Sequence, residues 1–338
     1  MNHVDNTPII ARRAMLMGLA TLPLAGGAAL AQTAKPKEIS LDWAYYNPVS
    51  LVLRRQGWLD DELKRDGIAV KWVHSLGSNK ALEFLAARAI DFGSTAGAAA
   101  LLARVNDSPI RSIYVYSKPE WTALVTRPDS GIKTVADLKG KRVAVTRGTD
   151  PYIFLLRVLQ EAKLTERDIK PVLLQHADGR AALEKGDVDA WAGLDPMMAQ
   201  AELEKGAVLF HRNANLNTYG VLNVREKFAA DHPELVHRVL AVYERGRRWA
   251  LANPAELRKF LAEAAKLSEA VAARQLERTD FSNPTIGAVH REALLGAGVA
   301  LQQSGVIAAD KSVTAIVDAL IDTRFGKIQG AAATGVRR

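Results

Sequence analysis

The chain contains no cysteine in 338 residues, which removes thiol nucleophiles, Cys-ligated zinc, iron–sulfur clusters and disulfides from consideration. Other chemical signatures are missing too. No G-x-S-x-G turn lifts a serine nucleophile, and H-E-x-x-H, Walker and G-x-G-x-x-G sequences do not occur. The seven histidines are scattered, and His232 and His237, five apart, fall off a common helix face. Asp187 and Asp189 alternate on a strand edge, where solvated or capping roles outweigh a catalytic carboxylate pair. Lys and Arg give a net charge of +8 but never run five together, so the charge reads as a solvated basic surface and not as a nucleic-acid tail. No cofactor or metal is expected.

What is present is ordinary globular material. With 48% hydrophobic and 24% charged residues over this length, the chain can build two domains. Its first 31 residues read as an export signal: Arg12-Arg13 precede an apolar run from Ala14 to Leu30, and Ala29-Leu30-Ala31 places small residues where a signal peptidase cuts, before Gln32. The run is broken by Pro23 and Gly26-Gly27, which makes an uncleaved anchor the weaker reading. The paired arginines match a twin-arginine signal only loosely. Either route delivers the remainder to the periplasm.

From Gln32 on, β-α units repeat. Glu38 to Ala44, Ile68 to Val73 and Ile90 to Phe92 read as strands, with helices over Val49–Leu63 and Lys80–Ala89. The loops after these strands carry Tyr45-Tyr46-Asn47, Ser78 and Ser94-Thr95. Packing alone would explain each loop taken singly, but three such loops in consecutive units point to a pocket at the carboxyl edge of a sheet. Gly93 to Ala99 reads as a small-residue helix opening that lets a ligand approach the backbone. After strands over Ile110–Val115 and Trp121–Thr126 the chain enters a second β-α-β passage. There Lys141–Thr146 is a strand, Gly148-Thr149-Asp150-Pro151 starts a helix, and Asp187–Ala192 is a strand ending in Gly193-Leu194-Asp195-Pro196. The chain returns near Leu216–Asn223, and from Glu226 the pattern is helical, with cap signals at Asp231, Asn253, Asn283 and Asp310. Alternating β-α units followed by late helices indicate an α/β fold of two open lobes, not a barrel.

The residues also carry a resemblance. Gly148-Thr149, then Ala177-Asp178-Gly179-Arg180-Ala181-Ala182-Leu183, Gly186-Asp187-Val188-Asp189-Ala190-Trp191 and Asp195-Pro196 resemble the pattern of periplasmic substrate-binding components of ABC importers, in the aliphatic sulfonate, taurine and nitrate branch. Asp129-Ser130-Gly131-Ile132, Ala136 to Lys141 and His232-Pro233-Glu234-Leu235-Val236 agree with it. The chain departs from the pattern at Ala96-Gly97-Ala98-Ala99, and at Asp150-Pro151-Tyr152 after the Gly-Thr turn.

The resemblance implies a periplasmic-binding-protein-like clamp, each lobe an open, mostly parallel sheet flanked by helices, with extra C-terminal helices. The first lobe would comprise residues 32–122 and 218–338, and the second residues 123–217. It further implies a monomer that closes on a small anionic or zwitterionic solute, an aliphatic sulfonate, and delivers it to an ABC permease and its ATPase in the inner membrane. Nucleic acid is not among its partners. Alternatives within the family are taurine, nitrate, pyrimidine-like or aromatic solutes; outside transport they are a sensory binding protein or a thiamin-pyrimidine-synthase-like enzyme. The same fold supports a desulfinase, which needs a cysteine. Binding without chemistry is the expectation.

The expected ligand set is Tyr45, Tyr46, Asn47, Ser78, Ser94, Thr95, Gly148, Thr149, Asp150, Tyr152 and Asp195. The anionic head would sit between the helix openings at Ser94-Thr95 and Gly148-Thr149. Asp195 and the Tyr45-Tyr46-Asn47 loop would read the other end, with Asp195 preferring an amine or hydroxyl donor; capping the turn before Pro196 is its equal alternative. Asp150 beside an anion is a like-charge liability unless it serves only as a cap.

Overall fold

The computed structural model describes residues 34–326, and the export signal expected over residues 1–31 lies outside the described residues. The first strand, β1 (Glu38–Trp43), leads into α1 (Pro48–Gln56) and α2 (Trp58–Lys64). The single helix expected over Val49–Leu63 is two because Gly57 adopts φ +65° and returns its N–H to Leu53 O at 3.0 Å, a left-handed stop that only glycine makes cheaply. Then come β2 (Ala69–His74), α3 (Ser78–Ala86), β3 (Phe92–Ala96), α4 (Gly97–Val105) and β4 (Ile110–Pro119).

The chain crosses at residues 120–123 and builds β5 (Leu124–Thr126), β6 (Arg142–Val145), α5 (Asp150–Glu161), β7 (Lys170–Leu173), α6 (His176–Lys185), β8 (Ala190–Ala192), α7 (Met197–Lys205) and β9 (Val208–His211). It returns through residues 212–219 to β10 (Gly220–Arg225). Six helices and one short strand follow: α8 (Glu226–Asp231), α9 (Pro233–Ala252), α10 (Pro254–Ala265), α11 (Glu269–Glu277), β11 (Thr279–Asp280), α12 (Ala288–Gln303) and α13 (Val313–Leu320).

Two sheets result, ordered β11-β4-β10-β3-β1-β2 and β7-β6-β8-β5-β9. The β-α-β units are parallel, β1 with β2 and β3, and β6 with β7 and β8. The sheets are nonetheless mixed. The strands adjoining the crossings arrive from the opposite end: β10 lies antiparallel between β3 and β4, and β5 antiparallel between β8 and β9. The described residues from Lys35 onward cohere as one unit. The long helix α9 buries Leu235, Val236, Val239, Leu240 and Tyr243 against Phe92, Tyr114 and Leu222 of the first sheet, each aliphatic side chain contributing roughly 1.5–3 kcal/mol before ordering entropy. Trp191, Ala144 and Leu183 anchor the core of the second sheet.

Ser94 and Thr95 belong to strand β3, and the helix opens three residues after Ser94, at Gly97. β3 is buried along its whole length between β1 and β10, and its ladder bonds to both neighbours hold it extended. Other cap signals shift by a residue or two: Asp231 closes α8 while His232 precedes α9, and Ser312, not Asp310, caps α13 through Ala315 N. Among the described residues no helix is long and apolar enough to cross a membrane.

The two crossings run side by side and are fastened to the start of α5. Thr122 N donates to Asn217 Oδ1 at 3.0 Å. Asp150, 2% exposed, accepts from the Trp121 indole at 2.9 Å, from Thr218 N at 2.9 Å and from Thr218 Oγ1 at 2.7 Å. One carboxylate thus holds both connecting segments.

Candidate functional site

A cavity of about 230 Å³ opens between the two sheets. One wall is Tyr45 and Tyr46 after β1, Ser75 and Leu76 after β2, and Ala265 and Leu267 at the end of α10. The other is Gln175, His176, Ala177 and Arg180 at the start of α6, with Asp195, Pro196, Met197 and Gln200 at the start of α7. Each lining segment except the α10 end follows the carboxyl end of a strand, where open α/β sheets place their ligands.

Two helix amino termini meet here. α3 and α6 are preceded by Gly77 and Gln175, and neither has a side-chain cap. Apart from Lys80 N, which bonds Gly77 O at 3.0 Å, their first-turn N–H groups have no acceptor within the helix and concentrate partial positive charge, the arrangement that receives an anion. The approach is close. A Cβ on Gly77 would lie 3.1 Å from His176 Nε2 across the cleft and 2.9 Å from Asn79 Oδ1, so glycine lets the α3 turn and the α6 turn come together. Arg180 adds a guanidinium one turn into α6, its Nε 3.4 Å from Glu184 Oε1.

The charges that line the cavity are otherwise neutralised. Asp195 is 1% exposed and accepts from Ala199 N at 2.9 Å and from Arg278 Nη1 at 3.2 and 3.3 Å. Burial raises its carboxyl to about 6 against the opposing pull of Arg278. Arg278 also binds Glu202, which in turn meets Arg274 at 2.7 Å, so α11 is stitched to α7. With its oxygens so engaged, Asp195 holds the first turn of α7 and is paired with Arg278; the sequence left a turn cap and an amine reader as equal alternatives. His176 is 1% exposed, and burial pulls its imidazole down to about 3, leaving it neutral. Behind Tyr46 lies Asp42, fully buried, accepting from Ser94 N at 2.7 Å and from Ser94 Oγ; burial pushes it up to about 7.

Of the expected ligand residues, the structure brings Tyr45, Tyr46 and Asp195 to the cavity wall. Asn47 caps α1 through Ser50 N. Ser78 opens α3 beside the cavity, but its hydroxyl accepts from Ala96 N at 2.9 Å. Ser94 is bound to Asp42, and Thr95 Oγ1 accepts from Asn223 at 2.8 Å inside the sheet, so their side chains face the core. Gly148 adopts φ +73° opposite Asn79. Thr149 returns its hydroxyl to Thr146 O at 2.6 Å, Asp150 holds the crossings, and Tyr152 reaches Glu166 at 3.2 Å and lies under Arg147, 5.7 Å from its ring centroid. Sequence reasoning missed Gln175, His176 and Arg180 as site residues and Arg278 as the partner of Asp195. The first three follow strand β7 as Tyr45 follows β1, a position that could have marked them; no local pattern announces Arg278, which arrives from 83 residues downstream.

Comparison with known proteins adds a family and a fold. The family described as NMT1/THI5 like matches residues 51–257. A Bacillus subtilis protein named for aliphatic sulfonate binding is 27% identical over 239 residues, 70% of this chain and 72% of that one. An Escherichia coli protein of the same name is 34% identical over 176 residues, 52% of this chain and 55% of its own length. The alkanesulfonate-binding protein SsuA from Xanthomonas axonopodis pv. citri, solved with MOPS bound, superposes with a TM-score of 0.78 at 24% identity, covering 86% of this chain and 100% of that chain. The desulfurization enzyme DszB shares the fold at a TM-score of 0.62 and 16% identity, covering 85% of this chain and 97% of that one.

Proposed function

From a chain that belongs to the NMT1/THI5-like family, we propose a solute-binding component of an ABC importer that holds a small organic sulfonate in the cavity between its two sheets and delivers it to a membrane permease. The observation that carries this reading is the meeting of two uncapped helix amino termini, α3 and α6, over a cavity that also holds Arg180. Backbone donors of this kind grip a sulfonate without a buried ion pair, so binding stays reversible. The apolar faces of Tyr45, Leu76, Met197 and Leu267 suit the attached alkyl chain. Relatives named for aliphatic sulfonate binding support the choice of ligand.

The sheets act as two lobes, residues 32–122 with 218–338 and residues 123–217, that close on the ligand while the paired crossings bend. Binding without chemistry fits a cavity whose one histidine is neutral and whose one carboxylate is paired; the chain also lacks the cysteine that desulfinase chemistry needs. The protein works as a periplasmic monomer after removal of residues 1–31, so intact mass of the exported form gives a chain starting at Gln32.

Calorimetric titration with C2 to C6 alkanesulfonates tests the reading. Saturable binding that Arg180→Gln weakens by about tenfold, through one lost charge-assisted bond, supports it. Absence of binding by every sulfonate, or tighter binding of uncharged pyrimidines, overturns it.

A further inference from the structure

We propose that His176 Nε2 is a fixed hydrogen-bond acceptor in the cavity, selecting sulfonates that carry an N–H or O–H donor over plain alkanesulfonates. The inference rests on the sulfonate-binding reading above and narrows it to aminoalkane- and hydroxyalkanesulfonates.

The argument is one of proton counting. Thr146 Oγ1 lies 2.7 Å from Leu174 O and 3.2 Å from His176 Nδ1. A hydroxyl has one proton, and a carbonyl oxygen can only accept, so that proton goes to Leu174 O. Nδ1 must then be the donor to Thr146, which leaves Nε2 with its lone pair. The ring is buried, Nε2 has no partner among the described residues, and it faces the place beside Gly77 that a Cβ would otherwise occupy. An unpaired buried acceptor is costly, and the chain retains this one where ligand is expected.

Burial keeps the ring neutral, so it does not become a cation for an anionic head. A sulfonate oxygen is itself only an acceptor, and set against Nε2 it would place lone pair against lone pair. Two further acceptors point to the same polarity: Gln175 Oε1 is buried without a partner, and Asn79 Oδ1 lies 2.9 Å from the same Gly77 position. Those amides can turn over to present N–H instead. His176 cannot exchange its roles while Thr146 holds Nδ1. The site therefore has two ends, helix N–H groups with Arg180 for the sulfonate and the His176 lone pair for a donor.

The test titrates the full chain with ethanesulfonate, 2-hydroxyethanesulfonate and 2-aminoethanesulfonate, in two buffers of different ionisation enthalpy. The two donor-bearing ligands are expected to bind about tenfold tighter than ethanesulfonate, the worth of one satisfied buried acceptor, with no proton uptake. In His176→Phe the ratio collapses to about one. In Thr146→Val, which releases Nδ1 and permits the other tautomer, it narrows while the fold is retained, and that variant decides the matter if the first does not fold. Equal affinity for all three ligands overturns the inference, because water then meets Nε2. Preference for ethanesulfonate with uptake of one proton overturns it as well, because the ring then acts as a cation. Binding of none of them overturns the sulfonate reading itself.

Discussion

Replacing Asp150 separates two roles that a buried carboxylate can play. Its oxygens are the acceptors for the Trp121 indole and the Thr218 amide, one on each crossing, and also for the Thr218 hydroxyl. Asp150→Ala takes the acceptor from three donors, the Trp121 indole, the Thr218 amide and the Thr218 hydroxyl, at about 1–3 kcal/mol for each that stays unpaired; the hydroxyl oxygen still accepts from Ala98 N. Removing a desolvated carboxylate, whose pKa burial has raised, returns part of that cost, and the net expectation is about 3 kcal/mol of destabilisation. Asp150→Asn behaves differently. Its carbonyl oxygen accepts from Trp121 and Thr218 N, and its amide donates to Thr218 Oγ1, so only the Thr218 hydroxyl proton loses its acceptor and the cost is about 1–2 kcal/mol. Urea unfolding followed by circular dichroism at pH 7 measures both. Burial raises the folded pKa of Asp150, so the wild type is favoured over Asp150→Asn at low pH and loses that advantage as pH rises through the folded pKa. Equal damage from Asn and Ala would show that the charge itself is needed, and a harmless Ala would show that the crossings are held by something else.

Gly77→Ala puts a methyl group 3.1 Å from His176 Nε2 and holds the α3 and α6 turns apart; sulfonate affinity falls several-fold in calorimetry while the unfolding midpoint stays put. Arg278→Met leaves the Asp195 carboxylate buried without its cation and costs about 3–5 kcal/mol. Adding Asp195→Asn to that variant recovers most of the loss, and a double-mutant cycle in urea reads the coupling directly. Unfolded, His176 is half protonated at pH 6.5 and neutral by pH 8, while folded it stays neutral throughout, so its depressed value adds a modest rise in stability as pH climbs through this window. Against that rise, Asp42, raised to about 7, and to a much smaller extent Asp195, raised to about 6, hold protons in the folded state that the unfolded chain has released. The Asp42 share of stability falls as pH rises, by on the order of 1 kcal/mol, and outweighs the His176 share; Asp42→Asn removes that fall in thermal unfolding.

The alternation of strands and helices was legible because each element carries its own period and its own stops, as with Gly67 after α2 and Pro151 at the start of α5. What escaped were positions decided by tertiary partners. Ser94 and Thr95 are small and polar enough to read as a helix opening, yet Asp42, Asn223 and two neighbouring strands hold them extended. Helix α7 was not foreseen, since Met197 to Lys205 follows a turn-starting Asp-Pro and carries little apolar periodicity. The cavity was legible as a location, after strand ends, and Tyr45, Tyr46 and Asp195 lie on its wall. Its chemistry was not legible, because the state of Asp195 depends on Arg278 and the state of His176 on Thr146, and sequence distance hides both pairings.

The place of β10 has a consequence for how the chain comes into being. The strand sits in the middle of the first sheet, between β3 and β4, which do not pair with each other. Residues 38–119 therefore emerge during synthesis with two facing strand edges whose hydrogen bonds await a segment more than a hundred residues later. Until Gly220–Arg225 arrives, β3 and β4 present open, apolar edges that any other strand could join. Completion of the first sheet is thus delayed until the whole second sheet has been made, and a chain ending at residue 217 carries every residue of the upstream strands without the one that unites them.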